Sequence, residues 1–274
     1  HLRYTLGREF EILDGSGTAN IAGAFGSYPL IRSRRANLNA LGAFDYKFLR
    51  DELGAVGSVS RRHIPSVTLG LAGDSRDDFG GGGSNLFSVG LTHGWLDIRD
   101  PAGFAIDGLT ARSDGSFSKL QGSFARVQSI TGPLSAYVGV RGQLAFDNLD
   151  SAEKIQLSGA YGVRAYPEGE AFGDTGYVAT AEARLALGSL FGETSSGHVE
   201  LSTFVDTGEV RFAQNPWFVG ENQTRRSGFG AALSWFGPDG LLLKGSYARR
   251  FGDVPVTSGP DSSGQFWVQI VKQF

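Results

Sequence analysis

Polar and apolar side chains alternate with a period of two along most of this chain, and in two segments the alternation is long enough to define an element. From Asn37 to Phe48 one parity carries Leu38, Ala40, Gly42, Phe44, Tyr46 and Phe48, while the other carries Asn37, Asn39, Ala43, Asp45 and Lys47. From Leu134 to Phe146 one parity is Leu134, Ala136, Val138, Val140, Gly142, Leu144 and Phe146, set against Ser135, Tyr137, Arg141 and Gln143. Successive side chains of a strand point to opposite faces, so this pattern predicts strands with one apolar and one wet face. Strands in soluble sandwiches average about 5–6 residues, whereas crossing a bilayer takes roughly 9–11. The length of the alternation favours the membrane.

The same reading predicts about twelve strands, near 2–12, 18–29, 36–49, 63–74, 84–98, 115–128, 134–146, 175–187, 198–212, 228–236, 241–252 and 264–274. Short connections at Ile31–Arg35, Thr131-Gly132-Pro133 and Pro238-Asp239-Gly240 contrast with long ones near 50–62, 99–113, 147–174, 213–227 and 253–263. Short turns at one end and long loops at the other are the habit of outer-membrane barrels. The expectation is therefore an all-β, transmembrane antiparallel β-barrel filling residues 1–274. Gly80–Gly83 lacks the Lys-Ser/Thr of a phosphate loop and opens a strand, so it reads as a turn. Trp95, Trp217, Trp235 and Tyr247 fall near strand ends, where interfacial girdles sit. In the last strand Phe266, Val268, Ile270 and Phe274 share a parity broken only by Lys272, whose long stem can snorkel.

Composition narrows the picture. Glycine contributes 41 of 274 residues without a three-residue period, which excludes collagen, and 20 Phe with 8 Tyr exclude a disordered chain. A net charge of -3 gives no case for a nucleic-acid partner. Without cysteine there is neither a disulfide framework nor a thiolate metal site, and His1, His63, His93 and His198 never fall at helical ligand spacing. No metal or cofactor is expected. No apolar run reaches the roughly 18 residues of a transmembrane helix, which says nothing against strands. The chain has no Met and no signal peptide begins at His1, so it reads as a mature or trimmed piece.

Two candidate chemistries compete. Asp-Thr-Gly occurs at 174–176 and 206–208, and aspartic proteases use that tripeptide in pairs. Two protease lobes would need separations of roughly 100 residues, and a Gly-x-Ser-x-Gly elbow is absent, so no catalytic residue and no enzyme is predicted. The second candidate is an ion pair. Between 198 and 212, His198, Glu200, Ser202, Phe204, Asp206 and Gly208 share one parity, and Val199, Leu201, Thr203 and Val205 the other. Asp206 must then face the lumen, because the reverse would set two carboxylates in lipid. Loops as long as 147–174 are more often functional or self-packed than slack. Folded inward, it would bring Arg164 to a bidentate pair with Asp206. The residues alone leave Arg164 equally readable as a solvated loop side chain.

Val163-Arg164-Ala165-Tyr166-Pro167-Glu168-Gly169, followed by Gly173-Asp174-Thr175-Gly176-Tyr177, resembles the inward-folded loop motif of two-partner secretion outer-membrane transporters, the haemolysin secretion/activation family. Phe204-Val205-Asp206-Thr207-Gly208 resembles that family's Phe-x-Asp-x-Gly strand motif. Leu149-Asp150-Ser151-Ala152-Glu153-Lys154 and Tyr247-Ala248-Arg249-Arg250 extend the likeness over essentially the whole chain. Ala165 departs from the family's glycine, which questions whether the backbone there needs positive φ. The resemblance implies a sixteen-stranded barrel preceded by periplasmic POTRA domains, of which this chain would hold the C-terminal part. It also implies a pore in the bacterial outer membrane that exports a secreted partner protein, with loop 147–174 plugging the lumen. Arg164 and Asp206 would lock the loop, Tyr166 and Phe204 would pack around them, and Asn37, Asn39, Arg141, Glu182 and Arg184 would line the path. The partners implied are the exoprotein, outer-membrane lipid, and the barrel-assembly machinery, which would read the terminal Phe274. A barrel exporting a fused patatin-like passenger, a passive porin and a soluble all-β binding protein are the alternatives.

Overall fold

A computed structural model describes residues 1–5, 15–188, 197–252 and 254–273. Twelve strands form one antiparallel sheet: β1 (Leu2–Thr5), β2 (Gly15–Arg32), β3 (Ala36–Leu53), β4 (Ser58–Asp77), β5 (Gly83–Ile98), β6 (Gly115–Thr131), β7 (Leu134–Ala145), β10 (Thr175–Ala186), β11 (His198–Arg211), β12 (Gln223–Phe236), β13 (Leu241–Arg250) and β14 (Gly264–Lys272). The intervening β8 (Ile155–Gln156) and β9 (Phe172–Gly173) pair only with each other, inside the loop between β7 and β10. Neighbours in sequence are neighbours in the sheet throughout, and among the described residues β1 and β14 stand at its two edges without pairing to each other.

Side-chain alternation matches the predicted parity. Cross-strand partners share a face, so the register carries Lys47, Ile64, Arg141, Val178, Asp206 and Gly228 onto one concave side. On the convex side Leu69, Val138, Leu233, Phe266, Val268 and Ile270 lie exposed in a broad apolar band. A contiguous apolar surface of this kind on a soluble chain would mark aggregation or an interface; here it is the belt that meets hydrocarbon. Trp95 and Tyr247 stand exposed near its rim, as a girdle requires.

The structure changes several connections. Residues 50–62 hold no long loop: β3 and β4 continue to a tight link at Gly54–Val56 and Gly57, where Gly57 adopts a φ of 64°. The strands persist beyond the apolar band through cross-strand pairing of polar residues, with Asp51 and Arg62 joined on the concave side. Strand β12 likewise starts at Gln223 rather than 228. The 99–113 connection contains a helix, α1 (Pro101–Leu109), which the strand-period reading left as loop. Asp100 caps it by accepting from Gly103 N, with Pro at its first turn. Of the predicted strand 2–12, the part beyond Thr5 lies outside the described residues, as does Phe274.

The dry core of this molecule is on the concave face. Ile155, Leu157, Val163, Ala165, Tyr166 and Ala171 of the β7–β10 loop pack against Val178, Phe204, Val210, Ala232 and Ala248 of the wall. A second cluster joins Leu149 to Leu49, Ile64, Leu96, Phe117 and Ala145. Residues 146–174 are therefore folded inward.

Candidate functional site: the inward-folded loop

The loop enters the concavity at its acidic stretch, where three lumen cations from three strands meet it. Asp150 pairs with Arg62 of β4, and Glu153 receives Lys47 of β3 at 2.5 Å and Lys119 of β6 at 2.9 Å. The Glu153 carbonyl also accepts from Lys119 Nζ and from Gln143 of β7. Asp150 additionally caps the short turn that follows by accepting from Ala152 N at 2.9 Å. This fastening of Leu149–Lys154 was not predicted. Its signal was present, since Lys47 falls on the wet parity and a buried ammonium needs a counter-charge.

Deeper in, Arg164 sits at the meeting point of β10, β11 and β14. Its Nε donates to Asp206 Oδ2 at 2.8 Å and its Nη2 to Asp206 Oδ1 at 2.7 Å, the bidentate fork expected of arginine and carboxylate. Its backbone N donates to Asp206 Oδ2 at 3.1 Å, so the same carboxylate holds side chain and main chain. Nη1 donates to Glu182 Oε1 at 2.9 Å and Nη2 to Thr180 Oγ1 at 2.9 Å. Arg184 takes the other Glu182 oxygen at 2.7 Å. The Phe204 ring lies under the guanidinium, 3.3 Å from centroid to Cζ. From β14, Trp267 Nε1 donates to the Arg164 carbonyl at 2.8 Å. Burial pulls the Arg164 pKa down, but Asp206 and Glu182 outweigh it and hold the guanidinium above its ordinary value. Asp206 is 1% exposed, so neither partner has water to fall back on.

Ala165 does not take positive φ, which removes the need for glycine at its own position. The tight fit has moved to the facing strand. A Cβ added at Gly228 would stand 2.3 Å from the Ala165 Cβ, and one at Gly208 would stand 2.6 Å from Leu157 Cδ1. Gly169 turns the chain at a φ of 82°, where a side chain would strain it. Val163 and Tyr166 are fully buried, Pro167 is half-buried and Glu168 exposed. The Tyr166 ring faces the Arg226 guanidinium at 5.3 Å rather than Arg164, and burial pushes its phenol pKa up.

The carboxylate that matters in this turn is Glu170, which the sequence reading passed over for Glu168. Arg226 Nη2 of β12 donates to Glu170 Oε1 at 2.9 Å. Thr257 N and Ser258 N donate to Oε2 at 2.9 and 3.0 Å, and both hydroxyls donate as well. Burial pushes the Glu170 carboxyl up, but Arg226 and the Thr257–Ser258 donors outweigh it and hold it below the usual carboxylate range. The cation Arg226, on the lumen parity of β12 and in need of a counter-charge, was the available clue. Glu170 thus ties the loop to the 251–263 connection.

Asp174 closes the loop's exit. It is fully buried, pairs with Lys154 Nζ at 2.7 Å, and accepts from Leu149 N at 3.3 Å and Gln214 N at 2.8 Å. Gly173 and Gly176 leave no room for side chains against Val210 and the β11 backbone. The two Asp-Thr-Gly aspartates have separate partners, which is not the arrangement of a shared-proton dyad. Of the lining residues predicted, Arg141 donates to the Gln156 carbonyl at 2.8 Å, and Asn37 bonds Asp74 across the inner end of β3 and β4. A cavity of about 470 Å³ remains beside the loop, lined by Arg141, Tyr161, Arg164, Glu182, Arg184 and Lys244.

The family model for haemolysin secretion/activation proteins ShlB/FhaC/HecB matches residues 3–232. The chain belongs to the haemolysin secretion/activation family. Family members in the curated set include the heme/hemopexin transporter protein HuxB of Haemophilus influenzae, 27% identical over all of this chain and 47% of the relative. HuxB of strain 86-028NP is 26% identical over the same share. The chain spans about half the length of the curated relatives it matches. Among solved structures, CdiB from Escherichia coli superposes with a TM-score of 0.75 at 16% identity, covering 93% of this chain and 45% of that one. CdiB from Acinetobacter baumannii gives 0.60 at 16% identity over 87% and 39%. This member of the haemolysin secretion/activation family has the fold of a transmembrane antiparallel β-barrel and belongs to the bacterial outer membrane.

Proposed function

We propose that this chain forms barrel wall in a pore that passes an unfolded secreted partner polypeptide across the outer membrane. Loop 146–174 is the plug, and Arg164–Asp206 is its latch. The observation that carries this reading is the way the loop is held. It meets the concave wall through Lys47, Arg62, Lys119, Thr180, Asp206 and Arg226, polar contacts with six different strands. The loop also buries an apolar face against the wall, which by itself would hold it as a fixed core. Ion pairs can instead exchange for water or for the backbone of a passing chain when the loop lifts. The wet side chains left on the wall, Arg141, Glu182, Arg184 and Lys244 among them, then line a hydrated route that demands no fixed sequence of its cargo.

The test is secretion by the intact protein carrying Arg164→Ala or Asp206→Ala. Export is expected to fall while the barrel still inserts and migrates as a folded species. Single-channel conductance should rise in the same variants, since an unlatched loop leaves its position more often. A passive porin would show conductance without any dependence of export on the pair. Wild-type export by both variants would remove the latch from the mechanism.

A further inference from the structure

We propose that the lipid-facing wall carries, at its outer rim on β1 to β5, a binding site for the phosphates of an anionic glycolipid headgroup in the outer leaflet. The register aligns Arg3 with Thr18, Thr18 with Arg50 and Arg50 with Arg61, and Arg99 N donates to the Arg61 carbonyl at 2.8 Å. Directly paired residues share a face, and this row shares the face of Phe44, Phe48, Val67 and Leu69, all exposed on the convex side. Arg50, Arg61 and Arg99 therefore lie side by side at strand spacings of about 4.8 Å, with Arg3 in the same row two strands further out, beyond Thr18. Like charges directly opposite one another oppose pairing. Glu52 offsets Arg50 and Asp97 offsets Arg99, yet Arg61, between them, has no carboxylate on its guanidinium among the described residues.

Position gives the row its partner. The rim in question carries the 99–114, 146–174, 212–222 and 251–263 connections, and long loops lie on the cell exterior. Immediately below it is an aromatic belt, with Tyr46 and Phe48 stacked at 4.5 Å and His63 edge-on to Phe48 at 5.0 Å. The guanidinium forks thus stand at headgroup height, where planar bidentate donors suit phosphate oxygens. The inner rim is built differently. Its convex arginine, Arg126, is neutralised by Asp77 at 2.7 and 2.9 Å and also held by Asn85 and Gln128.

The experiment uses the intact protein in detergent, with purified bisphosphorylated lipid A as probe and native mass spectrometry as readout. Arg50→Gln/Arg61→Gln/Arg99→Gln is expected to weaken lipid A binding at least about tenfold. Arg32→Gln/Arg34→Gln/Arg35→Gln, at the inner end, should leave it unchanged. Dephosphorylated lipid A should bind the wild type about as weakly as the lipid binds the outer-rim variant, and inorganic phosphate should not compete. If the triple variant fails to fold, Arg61→Gln alone should still weaken binding measurably. Retained affinity in a folded outer-rim variant, equal loss in the inner-end variant, or indifference to the phosphates would overturn the site.

Discussion

Replacing Asp206 by Ala isolates the energetics of the Arg164–Asp206 pair. The substitution strips Arg164 of three hydrogen bonds, from Nε, Nη2 and its own backbone N, and deprives Thr180 of its acceptor. The guanidinium stays buried, with Glu182 as its remaining carboxylate. Removing one partner of a buried pair costs about 3–5 kcal/mol, and the surviving Glu182 contact places this case near 3. At about 1.4 kcal/mol per factor of ten, the undocked population of the loop should rise more than a hundredfold. Hydrogen–deuterium exchange of peptides from 157–170, in nanodiscs, reads that population directly. Arg164→Ala should raise exchange comparably, and the double variant should add little to the worse single one, since both act through one contact. Exchange within about threefold of wild type in either single variant, or fully additive effects in the double, would refute the reasoning.

Three further outcomes follow from neighbouring contacts. Glu170 has a folded pKa below its reference value of 4.5, so its contribution is fully present above that pH and is lost as pH falls through the lower folded value. Exchange in 166–174 should therefore accelerate on acidification below about pH 4.5, and Glu170→Gln, already unlocked at neutral pH, should show a weaker acid response. Gly228→Ala sets a methyl 2.3 Å from the Ala165 Cβ, a clash worth about 1–3 kcal/mol. It should loosen the loop and lower the midpoint of thermal unfolding, and adding Ala165→Gly should recover part of the loss. Trp267→Phe deletes the donor to the Arg164 carbonyl at a cost of about 1 kcal/mol, seen as roughly fivefold faster exchange around residue 165.

The wall was legible in the sequence because lipid outside and water inside impose opposite demands on alternate residues. The period-two signal is strongest where both demands act, as between Leu134 and Ala145. Beyond the hydrocarbon the outer demand disappears, and so did the reading: β3 and β4 run on with Arg50, Glu52 and Arg61 on the face that was apolar below. Helix α1 was missed because nine residues offer too few turns for a period against its Gly and Pro content. The Arg164–Asp206 geometry followed from parity plus the family motif. The Glu170 cradle did not, because apart from Arg226 its donors lie 87 and 88 residues away, and two of them are backbone N–H groups, which no side-chain pattern encodes.

The fastening of residues 146–174 also bears on how such a wall can be made. Glu153 is joined to Lys47, 106 residues earlier in the chain, and Arg164 to Trp267, 103 residues later. The loop thus lies near the midpoint of the contacts that draw the two edges of the sheet together. Early strands are tied to its acidic entry and late strands to its arginine, so each set is linked to the loop across roughly half the sequence span that separates the two edges. A wall whose two halves form with these contacts in place would have the loop inside it from the outset.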